Sequence, residues 1–356
     1  MRRNSILTIK CYPALMKITG KIPIEISFTG GVLGLTWLIG RIIGVSIHLP
    51  SGDRAPFIDL HYIFPLIGVT VWGLFVLVGQ RSRMAWNFLI ALPCYAVVLI
   101  CHFNLKLWWP LINPTRWDQQ FWQIDQLFRP VVLGAFTARE AMTPVFGLGQ
   151  NAYMVSFIMM FYTSFSVHAL QGPNQFRRLF LSALFFQGIG GFCYLVMPAL
   201  GPFIYERGLI MIHSDAQHGM LDTYNQIIAG GSAWIGANGS ANLTAGLGAM
   251  PSLHVGGAFL FLYFAWRNAK ILVPVYTIFF TFILVSAVAT RWHYLIDLPF
   301  GLLLAVVSIR IAERVEQRID EPPRPANFSQ FNWRQLLAHA GRVRALVPNQ
   351  ARTAKP

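Results

Sequence analysis

Repeated apolar runs close to twenty residues long decide what this chain can fold into. About 20 apolar residues in a helix cross the hydrocarbon core of a bilayer. In lipid the backbone must satisfy its own hydrogen bonds, so runs of this length span as helices. Eight runs fit, at about 28–48, 60–79, 87–104, 151–170, 179–200, 251–266, 271–289 and 295–312. Composition agrees: the chain is 55% hydrophobic and 12% charged, with mean hydropathy +0.51, whereas soluble domains carry about 25% charged residues. The implied fold class is all-α: a polytopic membrane protein of about eight transmembrane helices, with an interfacial amphipathic helix and a short basic cytoplasmic tail.

Charge orients these spans. Arg2, Arg3, Lys10, Lys17 and Lys21 precede the first span. Arg81 and Arg83 follow the second, Arg177 and Arg178 the fourth, and Arg267 and Lys270 the sixth. The tail from Glu313 holds eight Lys/Arg against four Asp/Glu. With eight spans all of these fall on one side, which the positive-inside rule makes cytoplasmic together with both termini. The net charge of +14 has the same origin; it is spread over short loops and a tail, and no nucleic-acid partner is expected. Cys11, Cys94, Cys101 and Cys193 form no CxxC pair, so no zinc site is expected. The basic N-terminus lacks a short apolar core with a small-residue cleavage site, so no removable signal peptide is expected.

The opposite side receives the long segments 105–150 and 201–250. Within the first, "RWDQQFWQIDQLFRP" (116–130) places Trp117, Phe121, Ile124 and Phe128 on one helical face, with Asp118, Gln119, Gln123, Asp125 and Gln126 between them. This pattern predicts an amphipathic helix in the outer interface, either as a surface brace or as a wall of a head-group site. Arg41 falls inside the first run, where an arginine marks function unless the span ends early or the side chain snorkels to the interface.

Two short stretches carry the chemistry. In "GAMPSLHVGG" (248–257), His254 follows a Pro-Ser pair at the start of a span. In "ATRWHYLIDLPFG" (289–301), His293 and Asp297 are four apart at the mouth of the last span. On a helix that spacing shares one face, so the carboxylate can hold one imidazole nitrogen and leave the other free as nucleophile or base. His254 emerges on the same predicted membrane face. Two histidines and a carboxylate suffice for phosphoryl transfer without a metal, one imidazole attacking phosphorus and the other protonating the leaving oxygen. Gly256 and Gly257 would allow close helix packing behind His254.

"PSLH" followed by "HYLID" resembles the type 2 phosphatidic acid phosphatase superfamily, whose signature has the parts K-x6-R-P, PSGH and SR-x5-H-x3-D. Pro251, Ser252 and His254 match the second part, with Leu253 in place of glycine. His293, Asp297 and Ser286 match the third, with Ala287 in place of arginine. The first part has no clear match in 201–250, where Arg207 is the lone cation. Within the superfamily, "GAMPSLH", the "HYLIDL" ending, "YLVMPALGP" (194–202) and the 116–130 segment are similar to the inositol phosphorylceramide synthase branch. The resemblance covers roughly 110–312. It implies His293 as the phosphohistidine-forming nucleophile, Asp297 as its orienting group, His254 as general acid, and Ser252 as a phosphate contact. Arg291 and Arg207 are the expected substitutes for the missing phosphate-binding cations, with Arg129 ranked below them.

The resulting organisation is 1–150, N-terminal membrane helices plus the interfacial helix; 151–312, a phosphatase-like catalytic membrane core; and 313–356, a partly disordered cytoplasmic tail with a short basic helix around "WRQLLAHAGRVRAL". The expected function is lipid phosphotransfer on the non-cytoplasmic face, in a bacterial plasma (inner) membrane, with no cofactor and no metal. The partners are a membrane lipid phosphate substrate and a hydroxyl acceptor of inositol, sphingolipid or glycan type. A lipid phosphate phosphatase using the same His-His-Asp site is the close alternative. A transporter would call for broken, charged helices and repeat symmetry, and a bis-histidine haem protein would have to draw on His61, His102 and His168.

Overall fold

The computed structural model describes residues 22–51, 82–147, 151–208 and 211–317. The expected second span, the basic N-terminal stretch, His61 and the tail helix lie outside the described residues. Regular structure among the described residues is entirely helical: α1 (Ile24–Ile43), α2 (Ser82–Ile112), α3 (Asp118–Leu127), α4 (Arg129–Ala141), α5 (Thr143–Phe146), α6 (Asn151–Gln171), α7 (Pro173–Cys193), α8 (Met211–Asn238), α9 (Leu253–Asn268), α10 (Val273–Ala289) and α11 (Asp297–Gln317), with two single 3₁₀ turns.

A long helix stands at each of the seven expected spans that fall within the described residues. Among the described residues, four segments are long and apolar enough to cross a membrane: Ile24–Ile43, Ile90–Ile112, Ala152–Gln171 and Lys270–Ala289. The α7, α9 and α11 helices are marked differently. The α9 helix has 16 residues, and α7 and α11 carry arginines near their basic ends. The expected first span runs past the observed helix. Gly44, with φ 73°, caps α1 and donates to the Gly40 carbonyl, as left-handed glycine caps do. This leaves Arg41 exposed in the last helical turn, where its stem can snorkel.

The α6, α7, α9, α10 and α11 helices alternate in direction, so the bundle has two chemically distinct ends. At one end Arg177 is bound to Glu25 at 2.6 Å, Arg178 to Glu316, and Gln171 donates to the Asn268 carbonyl at 2.6 Å. This end collects the basic turns after α6 and α9. At the other end the C-termini of α2, α7 and α10 meet the N-termini of α6, α9 and α11. The α7 helix runs through the middle, packed against α2 and α11 and buried on most of its faces.

The α9–α11 crossing sets the depth of the second end. A Cβ on Gly301 would sit 2.2 Å from the Ser252 carbonyl oxygen, and one on Gly256 would sit 2.4 Å from that of Gly301. Only hydrogens fit there, and the two backbones touch behind His254. Leu253, which replaces a signature glycine, points away from the site onto Gly190 of α7, whose Cβ would meet it at 2.8 Å.

The α3 helix differs from expectation. Asp118, Phe121 and Asp125 are the buried face, while Gln119, Gln120, Gln123, Gln126, Leu127 and Phe128 are exposed. The two aspartates turn inward because the protein beneath supplies donors for them, so the acidic stripe, rather than the full aromatic one, meets the bundle.

Gly301→Ala overpacks a backbone contact, and overpacking costs about 1–3 kcal/mol. Its melting temperature in detergent should fall clearly. Gly134→Ala, where a Cβ meets open space, should melt at or slightly above the wild-type value. Equal melting of the two variants would contradict the tight crossing.

Candidate active site

Ser252 caps α9 and donates its backbone N–H to the Asp297 carbonyl at 3.1 Å. His254 follows in the first turn, its ring edge-on to Tyr153 and Phe157 at 5.3 and 4.9 Å. His293 sits in the turn between α10 and α11, with its N–H donated to the Ala287 carbonyl at 3.1 Å. Its Nδ1 lies 3.2 Å from Asp297 Oδ2, which also accepts the Tyr294 N–H at 2.9 Å. The expected His-Asp contact is therefore present, made by a turn feeding the first residue of α11 instead of by one continuous helix.

His254 and His293 are electrostatic neighbours. Nδ1 of His293 faces the carboxylate, and the ring also hydrogen-bonds the Ala249 backbone. Ser252 Oγ and Asp297 Oδ1 are buried and have no hydrogen-bond partner among the described residues. Orphaned buried acceptors and donors are costly and mark where a polar ligand would complete the shell.

The arginines expected to serve the phosphate have these surroundings. Arg291 is fully buried, with Nη1 3.1 Å from Asp125 Oδ2 and Nε 3.3 Å from Glu206 Oε2. Arg129 is bound to the same Glu206 through both terminal nitrogens, one of them at 2.7 Å. Arg207 is exposed. Arg291 and Arg129 thus face carboxylates, while Nε and Nη2 of Arg291 have no hydrogen-bond partner among the described residues.

A cation that the sequence reading passed over stands at the histidines. Lys106, on α2, lies over the Tyr194 ring at 4.8 Å, and its Cε is 3.5 Å from where a Cβ of Gly248 would be. Its charge acts on His102, His254 and His293 alike, and no ion pair ties it up among the described residues. A signal for it exists. "KLWWPLINP" (106–114) has the spacing K-x6-N-P, the first signature part with Asn113 in place of arginine. It stands about 100 residues before 201–250, where the first part was expected. Asn113 itself braces structure, donating to the Leu195 carbonyl at 3.0 Å.

His102, one helical turn before Lys106, joins the cluster with its Nδ1 buried and unpartnered. His168 belongs to the opposite end of α6, with Nδ1 2.7 Å from the Ser164 carbonyl and Nε2 3.4 Å from that of Phe264. It is a satisfied core histidine, and its distance from His102 along the bundle removes that pair as axial haem ligands.

A family model described as the PAP2 superfamily matches residues 132–311, about half of the chain, and the chain belongs to that superfamily. It is an integral membrane protein of the lipid phosphatase and phosphotransferase class. No curated protein and no solved structure matches it. Lys106 and α3 lie outside the matched stretch.

Burial, and after it the Lys106 ammonium, push the His293 imidazole below its ordinary value. A nucleophilic imidazole must be neutral, and a lowered value keeps it neutral as pH falls through 6.5, the ordinary histidine value. The acid limb of turnover should therefore lie below 6.5, and Lys106→Ala, which removes the second cause, should move it upward. A pH–rate profile of both proteins checks this; a wild-type limb at 6.5 contradicts it.

Proposed function

We propose that this protein transfers a phospho-head group from a membrane lipid phosphodiester to a hydroxyl acceptor through a phosphohistidine on His293. The observation that carries the reading is the charge of the site. The two signature arginines are replaced by Asn113 and Ala287, Arg291 and Arg129 face Asp125 and Glu206, and Lys106 is the one cation without an ion pair beside the histidines among the described residues. One positive charge matches the single negative charge of a phosphodiester. A phosphomonoester or diphosphate would bring one or more further charges, each lacking a partner worth about 4 kcal/mol at 4 Å in a partly screened site.

In the first half-reaction the His293 nitrogen turned away from Asp297 attacks phosphorus and the bond to the lipid alcohol breaks. His254 gives its proton to the departing oxygen. Asp297 holds the ring and balances the imidazolium that forms, while Lys106 and Ser252 hold the equatorial oxygens. In the second, the acceptor hydroxyl gives its proton to His254 and attacks phosphorus, and the N–P bond breaks to restore His293. Hydrolysis differs only in that water takes the acceptor's place. An acceptor of inositol, sphingolipid or glycan type suits the branch resemblance. Eight spans with the basic end of the bundle cytoplasmic would put this site on the outer side of a bacterial inner membrane.

Purified protein in detergent, given head-group-labelled phospholipid with and without alcohol acceptors, tests this. The expected result is labelled transfer product, faster turnover of diesters than of phosphatidate, and persistence of activity in a chelator. Loss of about 10³-fold or more is expected in His293→Ala, and about 10²-fold in Lys106→Ala, the loss typical of removing one preorganised donor. Unchanged turnover in His293→Ala would sink the mechanism, and faster turnover of phosphatidate would favour the phosphatase.

A further inference from the structure

The turn carrying His293 is held from outside the matched family segment. Asp125 of α3 reaches both shoulders of this turn: Oδ2 accepts Nη1 of Arg291 at 3.1 Å and Oδ1 accepts the Leu295 N–H at 2.9 Å. Arg291 and Leu295 are two residues either side of His293. Two helical turns earlier, Asp118 Oδ1 accepts the Tyr294 hydroxyl at 2.9 Å and the N–H groups of Leu200 and Gly201 at 2.9 and 3.0 Å. Both carboxylates are almost wholly buried. Arg291 has φ 60°, a left-handed conformation that a non-glycine residue keeps only where its surroundings enforce it. Its guanidinium is enclosed by Asp125, Glu206 and the Trp122 ring, 5.3 Å away.

We propose that Asp118 and Asp125 are positioning residues for the nucleophile, and that α3 is a two-point clamp which fixes where His293 stands relative to His254 and Lys106. The inference rests on the reading of His293 as the attacking group. Geometry alone makes the clamp consequential. His293 is tied within its own segment through the Ala287 carbonyl and Asp297, and these ties fix the ring within the turn. The Asp297 carbonyl joins the α11 end of the turn to the Ser252 N–H of α9, and the placement of the stretch from Arg291 to Leu295 is left to other contacts. Asp125 supplies that placement by bridging across the histidine, and Asp118 by joining the residue after it to the 200–201 loop. A misplacement of about 1 Å at a reacting group can lower a rate by about 10²-fold.

The test compares Asp125→Ala, Asp125→Asn and Tyr294→Phe, each purified as a monodisperse species in detergent, with rates expressed per folded molecule. Single-turnover formation of acid-labile, base-stable phosphohistidine from labelled phospholipid should fall about 10²-fold in Asp125→Ala and about 10-fold in Tyr294→Phe. Donor KM should stay within about threefold of wild type. Asp125→Asn keeps an acceptor for the Leu295 N–H and should recover part of the rate. Hydrogen exchange over 289–298 should rise in Asp125→Ala while exchange in α6 and α7 is unchanged. A merely structural aspartate would lower the folded yield and leave the rate per folded molecule unchanged, and that outcome overturns the proposal. So does raised exchange with a wild-type rate. If Asp125→Ala does not fold, Tyr294→Phe decides: a wild-type rate there overturns the clamp. Wild-type turnover in His293→Ala, run alongside, would instead overturn the assignment of the nucleophile.

Discussion

Asp297 joins the segments that meet at the site. Its side chain receives His293 Nδ1 and the Tyr294 N–H, and its carbonyl receives the N–H of Ser252 at the start of α9. One residue at the first position of α11 therefore ties the histidine turn to the helix bearing the other histidine. The contact exists because α9 and α11 touch backbone to backbone at Gly256 and Gly301. A side chain at either glycine would separate the two helices and with them the two imidazoles.

Charge placement follows from the same shortage of water. At one end of the bundle the cations pair with Glu25 and Glu316. At the site end Arg291 and Arg129 face Asp125 and Glu206. These pairs have net charge near zero, while Lys106, without an ion pair among the described residues, acts on both His254 and His293. A phosphate arriving there would meet one cation, a free serine hydroxyl and two imidazoles, and the chemistry proposed for the site is a consequence of that sparse set.

Part of this was legible in the residues themselves. Span-length apolar runs gave helices at each expected position within the described residues, and Pro-Ser-x-His with His-x3-Asp named the groups that the fold gathers. Both signals are local: hydropathy is summed over one segment, and the signature lies within a few residues on either side. Arg291 illustrates the limit. Its place beside His293 made it the natural phosphate cation, yet its partners, Asp125 and Glu206, lie 166 and 85 positions away in the chain. Lys106 was missed for the converse reason, since its neighbour in the signature is asparagine and its neighbours in space are histidines 148 and 187 positions later.

By itself, then, the sequence determined the helical membrane class, the basic side of the bundle and the identity of the His-His-Asp set, because each is written in short-range pattern. The tertiary structure alone decided which cations face a carboxylate, which one stands without an ion pair among the described residues, and which way the aspartates of α3 face. Those outcomes depend on where a buried charge finds its counter-charge, and in a water-poor interior that partner can come from any helix the fold brings within a few ångströms.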